Sequence, residues 1–249
     1  MHRLLVPSSE IAMPSPSLPA TAKAHLRVLR PKKGEPIELF DGAGRTRKCI
    51  FDAGNVVPVG DVATEERPFG EIWMFACLTK GPRWEWTIEK LTELGVSRIV
   101  PVLSKRSIVR LAGKEREAKR LRWQKIAEEA ARQSNAAYLP EIADPVPFAE
   151  AASEAKSKTI CFAAAIADPP HPPAAAALAS ANANGGGAKP WSFFIGPEGD
   201  FSPEETHTLS GFAILVSLGR QILRAETAAM LAAGLMRSFR DIGIDESRS

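Results

Sequence analysis

The spacing of apolar residues changes character about a quarter of the way along the chain. In the first part the apolar runs are short. Glu35–Phe40 (EPIELF) alternates, Asp41-Gly42-Ala43-Gly44 carries a strong hairpin signal, and Arg47–Phe51 returns from it. Leu26–Arg30 (LRVLR) reads as a short strand or turn. Val56–Val59 and Asp61–Thr64 read as extended pieces split by Pro58 and Gly60. Short strands with Gly/Pro turns and little helical periodicity predict a small β-barrel. Residues 65–70 read as a linker.

Beyond the linker, Ile72–Leu78 is a continuous apolar run of strand length, the pattern of a strand covered on both faces. Trp84, Ile88 and Leu91 then recur at helical spacing, and Gly95 reads as a C-terminal cap. Ile99–Leu103 is the next strand, completing a β-α-β unit and so a parallel pair. Lys114–Ser134 reads as a helix with Trp123, Ile126, Ala127 and Ala130 on one face. Thr159–Ala165, Trp191–Ile195 and Ala213–Leu218 read as strands. Ser202-Pro203-Glu204-Glu205 is a helix start, and Ala225–Arg240 is the last helix. Pro169–Lys189, rich in Pro, Ala and Gly, reads as a flexible insertion with one short helix at most. The expected fold is α/β: a β-barrel domain over 1–70, then a mainly parallel α/β domain over 71–249.

Composition narrows the class further. With 249 residues, 45% hydrophobic and 24% charged, the chain has ample apolar surface for a core, which excludes a disordered protein. No apolar run approaches the 18 or so residues of a membrane span, and MHRLLVPSSE lacks the apolar stretch of a signal peptide, so a cytoplasmic protein is expected. Cys49, Cys77 and Cys161 are odd in number and far apart, arguing against a disulfide framework. His2, His25, His171 and His207 are equally scattered, and no cluster has metal-ligand spacing, so no metal is expected. The net charge is only +3, but Lys105–Lys125 holds nine Lys/Arg against Glu115 and Glu117, and residues 1–60 hold nine against five acids. A charge-rich helix is commonly a solvated face; so strong a single-sign bias also suits phosphate binding.

Two strand-to-loop junctions hold the candidate chemistry: Ile195-Gly196-Pro197-Glu198-Gly199 and Leu218-Gly219-Arg220-Gln221-Ile222-Leu223-Arg224-Ala225-Glu226-Thr227. Both fall at carboxyl ends of predicted parallel strands, where open α/β sheets bind ligands. On spacing alone each is equally well a glycine turn into a helix. No G-x-G-x-x-G follows a strand and no Walker sequence is present, so nucleotide-phosphate cradles have no local support.

Taken in order, the segments resemble the RsmE-type 16S rRNA (uracil-N3) methyltransferases of the SPOUT class. The resemblance runs through RLLVP, His25 with Val28-Leu29-Arg30, Leu39-Phe40-Asp41-Gly42, Glu89–Val96 (EKLTELGV) and Lys105-Arg106-Ser107. It continues through Arg122-Trp123, Glu129–Ser134 (EAARQS), Phe194–Gly199 (FIGPEG), Leu218-Gly219 and Ile222–Ala228 (ILRAETA). Three departures stand out: Asp200 where the family's GPEGG has its second glycine, Arg220-Gln221 where LGPRILR is usual, and Asn135-Ala136 where a Gly-Arg pair is usual.

The resemblance implies a PUA-like RNA-binding barrel, a C-terminal trefoil knot, a homodimer and S-adenosylmethionine as cofactor. The implied cofactor wall is Ile195, Gly196, Glu198, Gly199, Leu218, Gly219, Ile222, Leu223 and Thr227. The implied partner is 16S rRNA or the small ribosomal subunit, with Arg30, Lys105, Arg106, Arg116, Lys119 and Arg120 as RNA-facing candidates. Methylating uracil at N3 demands loss of a ring proton, and Arg224 is the candidate to stabilise the anion. Its permanent charge makes it a poor base. Glu198 or Glu226 stands to accept the proton, although carboxylates at helix starts commonly cap backbone N–H groups. Two other readings stay open: a SPOUT enzyme acting on another RNA position, and a non-catalytic RNA-binding assembly protein.

Overall fold

The structure, a computed structural model, describes residues 1–66, 70–107, 109, 111, 113–167, 170–184 and 189–245. Within the predicted linker, residues 67–69 lie outside this set. So do Arg110 of the basic stretch and, in the predicted insertion, residues 168–169 and 185–188. By its internal contacts the chain forms two units, Met1–Arg67 with Glu128–Leu139, and Pro68–Ala127 with Pro140–Ser249.

The first unit holds β1 (His2–Leu5), α1 (Ala20–Leu29), β2 (Pro36–Phe40), β3 (Arg45–Asp52) and β4 (Asn55–Thr64). They make a four-stranded sheet in the order β1-β2-β3-β4, parallel between β1 and β2 and antiparallel thereafter. The predicted hairpin after Phe40 is present. Asp41 Oδ1 accepts from the N–H groups of Ala43 (2.9 Å) and Arg45 (3.0 Å), closing an Asx-type turn.

Two expectations for this unit are corrected. Leu26–Arg30 is not extended: it is the end of α1, in which Ala22 and Leu26, one turn apart, bury one face. Two apolar anchors are too few to register as a period. Val56–Val59 and Asp61–Thr64 are one strand, because β4 lies at the end of the sheet order, where Pro58 removes no needed ladder bond. Leu4, Ile11, Ile37 and Leu39 are fully buried between sheet and helix. Also in this unit is the end of α3 (Lys114–Ser134). Arg3, 4% exposed, donates from Nη1 to the carbonyls of Ala131 and Ala136 (3.0 Å each), pairs with Glu38 at 2.6 Å and stacks over Phe40.

The second unit contains β5 (Ile72–Cys77), α2 (Pro82–Glu93), β6 (Arg98–Leu103), the start of α3, β7 (Glu141–Ile142), β8 (Val146–Pro147), α4 (Phe148–Lys158) and β9 (Ile160–Ala164). They are followed by α5 (Ala174–Ala183), β10 (Trp191–Ile195), α6 (Pro203–Ser210), β11 (Ile214–Val216) and α7 (Ala225–Asp245). The sheet order is β11-β9-β10-β5-β6-β7, with β8 also on β6, and every pair is parallel. All residues of β5 and β10 are buried, as the unbroken apolar runs predict. Ile72, Met74 and Phe193 face α2, α5 and α7, while Trp73, Phe75 and Phe194 face α4 and α6. Phe75 and Phe194 stack at 4.7 Å.

Helix ends follow the local chemistry. Gly95 (φ +72°) and Val96 donate to Thr92 and Leu91, a complete Schellman closure of α2. Ser202 and Glu205 form the reciprocal capping box predicted at the start of α6. The one short helix expected in the insertion is present as α5, and only the flexible-linker part is corrected: α5 buries Ala174 and Leu178 against the core, and Pro173 bridges Ser217. The alanines supply the helix and the prolines its straight approach, which composition alone presents as a linker.

All three thiols are buried, and burial pushes Cys49 up to about 11 and Cys77 and Cys161 up to about 12. A folded sample at pH 8 should therefore take up almost no iodoacetamide, whereas urea should expose all three. Fast labelling of the native protein, read by mass spectrometry, would contradict this packing.

Candidate functional site

Because β9, β10 and β11 are adjacent and parallel, the segments leaving their carboxyl ends emerge together. They enclose a cavity of about 730 Å³. Its walls are residues 164–167 after β9, the 170–173 approach to α5, residues 195–198 and Asp200 after β10, and residues 216–223, closed by Ala225 and Ala228 of α7. Backbone bonds fix these segments to one another: Ser217 donates to Pro172 O (2.9 Å) and Ala174 to Ser217 O (2.9 Å). The lining is mostly small or apolar, with His171, Glu198, Asp200, Ser217, Arg220 and Gln221 as its polar side chains. That composition suits a nucleoside-sized ligand body better than a bare polyphosphate.

Asp200 explains itself here. It has φ +60°, the left-handed conformation in which glycine is cheapest and Asp is tolerated. Its carboxylate accepts from Phe201 N–H (2.8 Å) and from Ile166 N–H (3.1 Å), fixing one wall of the cavity to another. A Cβ at Gly196 would lie 3.0 Å from Asp200 Oδ1 and 3.3 Å from Phe201 N, so only glycine fits without displacing that turn. Gly219 has φ +136°, where side chains are strained although the surrounding space is open.

Of the cofactor-wall candidates, Ile195, Gly196, Glu198, Leu218, Gly219, Ile222 and Leu223 do line the cavity, while Gly199 and Thr227 lie off its wall. Arg224 and Glu226 point the other way, into a second cavity of about 550 Å³ with Arg83, Trp86 and Ile126. The first turn of α7 thus separates the two spaces, with Ala225 and Ala228 on one side and Arg224 and Glu226 on the other.

Arg83, at the start of α2, was not a sequence candidate, yet it links the two cavities. Its guanidinium pairs with Glu198 of the first cavity and lies 4.0 Å from Glu226 Oε1 in the second. Glu226 is 7% exposed, and among the described residues nothing donates to its Oε2. Arg224 is exposed, with no carboxylate at ion-pair distance among the described residues. His171, Pro172 and Pro173 are further wall residues that were missed, hidden in the low-complexity run.

The RNA-facing candidates differ in how committed they are. Lys105 Nζ lies 3.4 Å from Glu204, and Arg106 donates to Gly199 O (2.7 Å) and Phe201 O (3.3 Å). Arg116 donates to Leu111 O, Arg120 pairs with Asp144 at 3.0 Å, and Lys119 is half-buried. Arg30 ends α1 in the first unit. Among the described residues no group of His, Cys, Asp and Glu is arranged to hold a metal ion, and no helix is long and apolar enough to cross a membrane.

Known proteins agree with this architecture. The RNA methyltransferase domain family matches residues 65–237. A ribosomal RNA small subunit methyltransferase E of Bacillus subtilis is 30% identical over 214 residues, 83% of each chain. The crystal structure of a ribosomal RNA small subunit methyltransferase E from Neisseria gonorrhoeae, bound to S-adenosyl methionine, superposes with a TM-score of 0.80. It is 28% identical, covering 96% of this chain and 97% of that one. A Legionella pneumophila protein solved with the bound cofactor SAM gives 0.76 at 28% identity, over 95% and 96%. Family match, full-length relatives and the loop-built cavity agree: the chain belongs to the RNA methyltransferase family that includes the ribosomal RNA small subunit methyltransferases E.

Proposed function

We propose that the protein transfers a methyl group from S-adenosylmethionine to N3 of a uridine in the 16S rRNA of the small ribosomal subunit. The observation that carries this is the mostly apolar, loop-built cavity at the carboxyl ends of β9–β11, together with membership of the family. In this reading the loops after β10 and β11 belong to a trefoil knot. The four-stranded sheet with α1 is a PUA-like RNA-binding barrel within residues 1–70, and 71–249 is the SPOUT domain. The enzyme works as a homodimer in the cytoplasm.

Ile195, Gly196, Leu218, Gly219, Ile222 and Leu223 would hold S-adenosylmethionine, the cavity's size and the close approach allowed at Gly196 fitting such a group. When bound, it supplies a methyl group already activated by a sulfonium centre. The protein's own contribution is therefore to orient an unpaired uracil and stabilise it as its N3 proton leaves. Arg224, charged and unengaged by any described carboxylate, lines the second cavity, so it is suited to the developing negative charge on the uracil oxygens when the uracil approaches the cofactor from that side of α7. Glu198 and Glu226 are the proton-acceptor candidates. Glu198 is engaged by Arg83, while Glu226 keeps a free oxygen.

Mass mapping of 16S rRNA from deletion and complemented cells tests the reaction: one uridine should lose its methyl group and regain it. An unchanged map, or a methyl group at a ribose or guanine, would replace this reading.

Arg116, Lys119 and Arg120 should contribute RNA affinity rather than chemistry. Their combined replacement by Ala should weaken RNA binding and lower the log–log salt slope by about 0.7 for each lost phosphate contact, with cofactor affinity unmoved. An unchanged slope would make the stretch a solvated helix face.

A further inference from the structure

Asn135 and Asp200 both stand where the family pattern has glycine, and they differ in charge. Both hold the left-handed conformation, φ +58° and +60°. Either residue type tolerates that conformation, so backbone geometry alone does not call for a carboxylate at 200. Asn135, which is neutral, is no part of the lining of the cavity at the carboxyl ends of β9–β11, whereas Asp200 is on its wall. The charge therefore enters where a ligand is expected.

That charge has no counter-ion in the protein. The half-buried carboxylate accepts from Phe201 N–H (2.8 Å) and Ile166 N–H (3.1 Å), both uncharged donors. Among the described residues no cation lies within 4.0 Å of it. Arg106 donates to the carbonyls of Gly199 (2.7 Å) and Phe201 (3.3 Å), the two neighbours of Asp200, so it serves the backbone of the turn. Glu198, the other acid of the lining, is by contrast held by Arg83. Arg220 and His171 also line the cavity, and Arg220 is exposed. An anion left uncompensated in a mostly apolar wall attracts a cation bound beside it more strongly than it would in open water.

We propose that Asp200 is a charge-selecting residue of the cofactor cavity, favouring the sulfonium cation of S-adenosylmethionine over the neutral thioether S-adenosylhomocysteine. The proposal rests on the methyltransferase reading and goes beyond it, since a glycine at this position carries no charge. The two ligands share adenine, ribose, amine and carboxylate, and differ by one methyl group and one positive charge. Contacts along Gly196, Leu218 and Gly219 meet nearly the same body in both. A fixed anion in the wall does not, and electrostatic complementarity of this kind discriminates between ligands more than it adds affinity. The spent product is thereby held less firmly relative to fresh cofactor, which limits product inhibition.

Isothermal titration of the full chain with each ligand reads the selectivity as a ratio of two affinities. In Asp200→Asn the preference for the sulfonium ligand should fall about fivefold, the size of one ion pair at a partly exposed wall. Asn keeps the left-handed turn, but its amide nitrogen cannot accept from Ile166 N–H, so both affinities also drop together. The ratio cancels that common loss. Asp200→Gly, the family's own residue, should show the same fall in ratio. An analogue with a protonated amine in place of the sulfonium should follow S-adenosylmethionine. In the wild type added salt should shrink the ratio, and in both variants it should leave the ratio flat. An unchanged ratio in the variants would make Asp200 a tether and overturn the proposal. So would a cationic analogue that follows the thioether, because shape would then be what is read. The wild-type salt series needs no variant to fold, and a flat wild-type ratio counts against charge selection by itself. Wild-type protein that binds both ligands with no effect of Asp200 on their ratio sinks this proposal alone. Wild-type protein that binds neither sinks the methyltransferase reading and the proposal with it.

Discussion

Gly196→Val should fold and yet lose S-adenosylmethionine affinity by more than a hundredfold. The reason is local. The new side chain begins 3.0 Å from Asp200 Oδ1 and 3.3 Å from Phe201 N, and both are backbone-tethered members of the turn that closes the cavity. Moving that turn also breaks the Asp200–Ile166 bond that fixes the opposite wall. Gly219→Val should fail for a different cause. Space is open there, but φ +136° is strained for any side chain, at a cost of about 1–3 kcal/mol. That corresponds to roughly 5- to 150-fold in affinity if the loop relaxes away from its binding shape. Isothermal titration and thermal melts on both variants check the pair. A folded Gly196→Val protein with wild-type affinity would take these loops out of the cofactor site.

The same backbone argument shows what was legible in the sequence and what was not. The unbroken apolar runs of β5 and β10, the Trp84-Ile88-Leu91 stripe of α2 and the capping box of α6 are strong local signals, and the structure has each of them. Two departures from the family pattern become intelligible only with dihedral angles. Asn135 and Asp200 stand where the family has glycine, and they have φ +58° and +60°. Each is a residue type that tolerates the left-handed conformation glycine otherwise supplies, so the turn survives the substitution. The segments misjudged were those whose order comes from tertiary contacts. α1 has only Ala22 and Leu26 as buried anchors, and the Pro/Ala run gains α5 by packing against α7. Arg83 was missed because an ion pair spanning 115 residues leaves no trace in local spacing.

Arg224 and Arg83 should separate chemistry from architecture. Arg224 lies in the second cavity beside Glu226, and among the described residues it makes no ion pair, so its removal breaks no tether. Arg224→Ala should keep its melting temperature and its cofactor affinity, while single-turnover methylation falls on the order of a hundredfold, the loss typical of a missing oxyanion donor. Arg224→Lys keeps the charge but not the planar fork of donors, and should fall between the two. Arg83 is expected to behave in the opposite way. It joins Glu198 to α2 and stands 4.0 Å from the buried Glu226, so Arg83→Ala strands a buried carboxylate and frees the loop after β10. Lost cofactor affinity and a lower melting temperature should then precede any change in the chemical step. The Arg83–Glu198 pair is about half exposed, which keeps its own stabilisation within about 1 kcal/mol, and the larger share of the loss comes from Glu226. If turnover survives intact in Arg224→Ala, the anion is stabilised by another group, and Arg83, released from Glu198, is the next cation to remove.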